Sequence, residues 1–520
     1  MNNISFSKQS FKELLEKVSF YENETKVLQN EISFLKEQVK FLIAAIHAPK
    51  SDRKPVVENP YQLKLPIEEL QTAVEEKKVN PEVRIKEHSR KKRGRRKIPD
   101  HLPRVDVVHD LSENEKTCSC CGESLSKIGE EISEKLDIIP AQIKVMRHIR
   151  YKYACKKCEG VDDPQGAVKT APLPPQIIPQ GIVSPGLLAY IIIAKFLDAI
   201  PLYRQEKQFL RTNINISRAT MCKWILRVAA ACEAIVEMMH DEITMGKYVA
   251  MDETPLQVLN EEDRSNTTKS YIWVCYGGLP DKPCIIYRYY KTRESKIPKD
   301  ILKNFSGYLQ TDGYSGYKLV GNRSGIVHLA CLAHVRRKFV DVVKISKKAG
   351  IAQQALDYIS QLYSVEKEAD EKNLSADQRK SLRESLSKPI LEELKLLQDR
   401  NKTQTPARSL LGKAINYALN LWKELNVYIQ DGNLRIDNNL VENKIRPIAM
   451  GRKNWLFAGC PNGADALAIL YSIIETARAN GLEPYGYLRY LFTNLPAAST
   501  PEEKKALLPQ YVVKEKLLSV

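Results

Sequence analysis

No apolar run in these 520 residues approaches the roughly 20 needed to cross a bilayer; residues 187–194 come nearest and stop at Lys195. The first 17 residues are polar and charged and lack the apolar stretch of a secretory leader. Acidic residues are also in short supply: 63 Asp+Glu against 80 Lys+Arg leave a formal net charge of +17. These deficits exclude a membrane-spanning or exported protein and point to an intracellular one with a polyanionic partner, most simply nucleic acid. Hydrophobic residues at 43% and charged residues at 28% exclude wholesale disorder, and the length calls for several domains.

Cysteines are eleven, but five of them fall between Cys118 and Cys158, a clustering that fits metal binding better than a disulfide framework. Cys118-Ser119-Cys120-Cys121 and Cys155-Lys156-Lys157-Cys158 supply two C-x-x-C pairs, with Cys120 as a spare thiol. Cys118, Cys121, Cys155 and Cys158 are expected to close a structural Zn2+ site, because four thiolates leave no open position for chemistry. Apolar residues alternate before the second pair (Ile143, Val145, Ile149, Tyr151, Tyr153), as in the strands of a zinc ribbon over 99–170.

Ahead of the cysteines, Leu14, Tyr21, Leu28, Leu35 and Leu42 recur every seven residues, with Val18, Thr25, Ile32, Val39 and Ile46 as a second seam. This pattern predicts a parallel coiled-coil dimerisation helix over 11–48. Residues 49–98 read as a linker ending in a basic run, Arg90, Lys91, Lys92, Arg93, Arg95, Arg96 and Lys97, suited to displacing counterions from a DNA backbone. Past the cysteines, helical periodicity over 187–197, 202–210 and 218–231 predicts a helix-turn-helix-like segment over 184–245, with Arg218 and Lys223 toward DNA. A plain three-helix spacer has the same pattern.

A run of strands follows. Residues 248–252 read as a short strand carrying Asp252 near its end, 271–276 and 284–290 as a hairpin, 307–312 as a strand ending in Asp312 just before a glycine turn, and 326–331 as a strand feeding a basic helix, 334–344. That order is the order of a ribonuclease-H-like core over 246–345 and 431–480, in which the first and fourth strands are neighbours. Asp252 and Asp312 would then meet. Helical runs over 349–371, 375–401 and 406–428 read as an α-helical insertion (346–430), and Glu442 follows on a helix whose face it shares with Asn438 and Arg446. Asp437 reads as the N-cap of that helix. Glu253 alternates to the other face of its strand, and Cys331 with His334 reads as a brace at the strand-to-helix junction. Three carboxylates from two strands and a helix are what a pair of Mg2+ ions needs for phosphodiester chemistry. Arg446, Arg452 and Lys453 are candidate phosphate contacts.

Asp252-Glu253-Thr254, Thr311-Asp312-Gly313-Tyr314, Cys331-Leu332-Ala333-His334-Val335-Arg336-Arg337-Lys338-Phe339, Asp437-Asn438-Asn439-x-x-Glu442 and the segment from Ile445 to Gly459 resemble the transposases of the insertion sequence 66 family. The resemblance covers nearly the whole chain, down to a C-terminal tail over 481–520. It implies a bacterial, cytoplasmic, nucleoid-associated DDE transposase with Asp252, Asp312 and Glu442 as the acids. It further implies Mg2+-dependent cleavage of element ends, strand transfer, and partner proteins from the same element. The competing readings are a non-catalytic, zinc-dependent DNA-binding regulator, and a structure-specific nuclease of the same fold.

Overall fold

The computed structural model describes residues 143–154, 168–346 and 350–518, together with the helical residues 17–22, 24–25, 28–29, 31–32, 35–36 and 39. Residues 149–520 belong with 1–50 to one compact unit, and 51–148 form another, of which 143–148 are described. The basic run at 90–97 and Cys118, Cys121, Cys155 and Cys158 lie outside the described residues.

Residues 143–151 adopt no regular secondary structure, in contrast to the alternation read there. A short strand instead occupies β1 (Lys152–Ala154), antiparallel to β2 (Val168–Thr170). The side chains at 143, 145, 149, 151 and 153 are exposed, and among the described residues no apolar face packs on them to enforce the period of two.

Three helices follow. In α1 (Pro185–Phe196), Ser184 caps the N-terminus and Pro185 occupies the first turn, where its missing N–H costs nothing. After α2 (Leu202–Leu210) comes α3 (Arg218–Thr244), capped by the Ser217 hydroxyl, which accepts from the Thr220 N–H at 3.1 Å. The last of these runs thirteen residues beyond the predicted end at Ala231, since Cys232, Ile235, Val236, Met239 and Ile243 continue its buried stripe.

The central sheet is built from β3 (Tyr248–Gln257), β4 (Lys269–Leu279), β5 (Lys282–Tyr290), β6 (Gly307–Thr311) and β7 (Ile326–Ala330), in the spatial order β5-β4-β3-β6-β7. The first three are antiparallel neighbours, whereas β6 and β7 join in parallel. Helix α4 (Lys296–Ile301) makes the crossover between β5 and β6. As expected, the first and fourth strands of the sheet are adjacent. One expectation fails: β3 does not end at Asp252 but pairs with β4 as far as Gln257, placing Asp252 in mid-strand opposite Val274.

Beyond β7, α5 (Leu332–Ser346) leads into a helical insertion of α6 (Ile351–Glu371), α7 (Ala376–Leu382), α8 (Lys388–Lys402) and α9 (Leu410–Asn420). A π-helical turn, Arg383–Ser387, joins α7 to α8. The Arg383 guanidinium there is fully buried, bonds both Glu366 oxygens at 2.7 Å and donates to the carbonyls of Tyr428, Asp431 and Leu434. The chain then returns to the sheet through α10 (Asn439–Trp455) and α11 (Pro461–Ala479). On β5, the Tyr287 N–H donates to Ser472 and the Ile285 N–H to Thr476, each at 2.9 Å, so α11 covers the edge of the sheet. The residues read as a tail form α12 (Pro484–Asn494), whose Tyr487, Leu488, Leu491 and Phe492 are fully buried in the core shared by α1, α3, α11 and the sheet.

Candidate active site

The parallel pairing of β3 with β6 sets the site. Ala250 is opposite Gln310, so two residues further along each strand Asp252 and Asp312 stand at the same level on neighbouring strands. Adjacent strands run about 4.8 Å apart. Asp312 comes just past the end of β6, where its Oδ1 accepts the Tyr314 N–H at 2.9 Å and holds the turn. Gly313 follows without a side chain because a Cβ would collide with Tyr417 of α9, whose hydroxyl accepts the Gly313 N–H at 3.1 Å.

The third acid arrives through its helix cap. Asn438, fully buried, donates from Nδ2 to the Met251 carbonyl at 3.0 Å, one residue from Asp252. Its own N–H donates to Cys331 Sγ at 3.2 Å, and the Leu332 N–H donates to the Ile436 carbonyl at 3.1 Å. The start of α10 is thereby tied to β3 and to the end of β7 together, which delivers Glu442, one turn on, to the same place. The expected cap is corrected by one position. Asn438 is the N-cap, while Asp437 precedes it and accepts the Asn439 N–H at 3.1 Å and the Tyr363 hydroxyl at 3.0 Å.

Electrostatics register the convergence. The Asp252 carboxyl is pushed up to about 8, first by burial, then by the charges of Glu253, Asp312 and Glu442. Glu253 is buried and also raised by burial, against the opposing pull of Tyr317 and Arg293, to which it is bonded. With its oxygens so committed, it is part of the wall rather than a free ligand. Glu442 is flanked by His334 Nδ1 and Arg337 Nη2, each 3.5 Å from one of its oxygens. Burial lowers the His334 pKa, offset by Glu442. These two neighbours from α5, and Asn438, are the site residues that sequence reasoning gave no such role. The C-x-x-H spacing and the basic helix were the signals for the first two.

Among the basic candidates, Arg218, Lys223, Arg446 and Lys453 are exposed. Arg452 is not free: its guanidinium donates to the Pro255 carbonyl and, at 3.2 Å, to the Thr254 hydroxyl, latching the far end of α10 onto β3. Its side chain stays half-exposed in this engagement.

A family model described as the transposase IS66 family matches residues 180–466, and so contains the sheet and all three acids. The chain belongs to this family. Further models of the IS66 transposases match beside it: the zinc-finger binding domain at residues 115–159, which spans both C-x-x-C pairs, and the C-terminal element at 472–510. A model described as "Transposase C of IS166 homeodomain" matches 34–107. Two relatives in Sinorhizobium fredii (strain NBRC 101917 / NGR234) bear only the names uncharacterized protein y4jD and y4qI. The first is 35% identical over 79% of this chain and 81% of its own length, and the second is 30% identical over 89% and 86%. As an IS66 transposase, the chain is a DNA transposase of an insertion sequence and a DDE-type enzyme. Its DDE domain points to a divalent metal and its zinc-finger domain to zinc. No helix among the described residues is long and apolar enough to cross a membrane.

Proposed function

We propose that Asp252, Asp312 and Glu442 are the DDE triad of this transposase, on a core of the ribonuclease-H-like type. The observation that carries this reading is the β3–β6 register, which levels the two aspartates, with the Asn438 tie bringing Glu442 beside them. The strand order β5-β4-β3-β6-β7, with its first three members antiparallel and the last two parallel, supports the fold assignment. Three carboxylates make an all-oxygen donor set that fits hard divalent cations, Mg2+ above all. Two such ions would supply Lewis-acid activation of the attacking oxygen and charge neutralisation on the leaving one.

The chain's own residues do the rest. In the first reaction the oxygen of water attacks phosphorus at the element end, the bond from phosphorus to the 3′ oxygen breaks, and a free 3′ hydroxyl results. In the second, that hydroxyl attacks a target phosphodiester and the target's own 3′ oxygen leaves. Asp252 and Asp312 line the place where the phosphate must lie, and Arg337 holds Glu442 toward it with His334 alongside. Exposed Arg446 and Lys453 on α10 are set to grip the backbone on either side.

The remaining assignments join this reading as modules. Cys118, Cys121, Cys155 and Cys158 hold a structural Zn2+; the run from Arg90 to Lys97 contacts DNA nonspecifically; Arg218 and Lys223 on α3 face a groove. The seam residues Val18, Leu28, Ile32, Leu35 and Val39 are exposed on a single chain, which fits their burial in a homodimer or higher oligomer. Accessory proteins of the element and a site of action on the nucleoid complete the proposal. The test is cleavage and joining of end-containing DNA with Mg2+: Asp252→Asn should abolish both while leaving gel-shift binding intact. An Asp252→Asn protein that cuts normally would falsify the triad.

A further inference from the structure

We propose that Cys331, His334 and Glu442 form a second metal site, one for a soft or borderline divalent ion such as Zn2+, and that filling it inhibits the enzyme by taking Glu442. The inference rests on the reading of Glu442 as the third acid. Cys331 Sγ, a ring nitrogen of His334 and a Glu442 oxygen lie within 4.8 Å of one another. In the same cluster His334 Nδ1 and Glu442 Oε1 are buried, have no hydrogen-bond partner and face each other at 3.5 Å. A pair of inward-facing orphans normally costs stability. A shared cation satisfies both at once.

The donor set chooses the cation. Thiolate, imidazole and carboxylate suit Zn2+, whereas Mg2+ avoids sulfur and takes oxygen ligands. Three protein ligands leave the fourth tetrahedral position open to water or to a phosphate oxygen of bound DNA. The ligands also come from a stiff frame. Cys331 follows the edge strand directly, His334 lies in the first turn of α5, and the Asn438 N–H donates to Cys331 Sγ, fixing α10 against both. Glu442 cannot serve this ion and the Mg2+ pair with the same oxygen. The two kinds of metal therefore compete, and the sulfur gives zinc the advantage wherever both are present.

The test uses the full chain already carrying the zinc of its C-x-x-C pairs. Dialysis against buffered free Zn2+ should leave wild type with about two zinc ions per chain and Cys331→Ser and His334→Ala with about one. Co2+ added to wild type that carries only the zinc of its C-x-x-C pairs should develop the absorption of a tetrahedral site with one thiolate, which needs no variant to fold. Added over Mg2+, zinc should inhibit wild-type cleavage, and Cys331→Ser should need at least about tenfold more, each measured against that protein's own Mg2+-supported rate. A single zinc per wild-type chain with no cobalt band overturns the site, and equal zinc sensitivity in Cys331→Ser overturns the competition. Should Glu442→Gln still cleave while wild type binds the second zinc, the catalytic reading of Glu442 falls and the metal site stands.

Discussion

Replacing Asp252 with asparagine should stabilise the protein in Mg2+-free buffer while it removes cleavage. Asp252 carries a carboxyl whose pKa rises from 3.8 to about 8 on folding, through burial and three neighbouring acids. Because the folded pKa is the higher one, the folded state binds the extra proton. The cost of ionisation is absent below about pH 4, grows as pH rises toward about 8 and is complete above it. The difference, 8 − 3.8, is about four pH units, and at 1.36 kcal/mol each the ceiling is about 6 kcal/mol. Relaxation and water entry reduce such penalties, so a gain of about 1–4 kcal/mol is expected. The assay is thermal unfolding of wild type and Asp252→Asn at about pH 5.5 and about pH 8.5, with and without added Mg2+. Asp252→Asn should melt higher, by more at the upper pH, and Mg2+ should raise the wild type alone, since the ion binds only the folded carboxylates. An unchanged or lower melting temperature for Asp252→Asn at the upper pH would refute the idea that these acids crowd one another.

Asp312→Asn and Glu442→Gln should each lose strand cleavage by about three orders of magnitude in a gel assay, with end-DNA binding within about twofold of wild type. Arg383→Ala strips the buried Glu366 carboxylate of its bidentate partner, leaving it Arg379 alone at 3.1 Å, and frees three carbonyls. It should cost about 3–5 kcal/mol in denaturant unfolding and expose the insertion to protease. Alanine at the seven basic positions from Arg90 to Lys97 should flatten the salt dependence of DNA binding, by about 0.9 in the log–log slope for each phosphate no longer neutralised. Serine at both Cys118 and Cys121 should release about one zinc ion per chain, read by metal analysis after dialysis.

Much of the core was legible because its signals are local. Asp252 lies in a buried apolar run and Asp312 directly before a glycine, and the two hairpin strands flank a Pro280-Asp281 turn. What escaped depends on partners far away in sequence. Pro255 reads as a strand breaker, yet it pairs opposite Tyr271. The paired stretch of β6 ends at Thr311, so that part of β3 has a strand on one side only, and a residue without an N–H is tolerated there. Asp437, Asn438 and Asn439 are three cap formers in a row. The helix begins at Asn439, which makes Asn438 the N-cap, and its side chain is drawn away to the Met251 carbonyl. The roles of Tyr363 and Tyr417, which reach from the insertion to Asp437 and Gly313, carry no local signature at all.

The separation of the acids along the chain also sets a schedule. From Asp252 to Glu442 the ribosome must add 442 − 252 = 190 residues, and α11 must still emerge to close over β5. At bacterial elongation rates that interval lasts about 10–40 s. On the proposed reading, a nascent transposase exposes its basic and cysteine-bearing segments long before it can cut anything. A chain terminated early within the insertion would remain in that unarmed condition, holding DNA ends without breaking them and shielding them from intact copies.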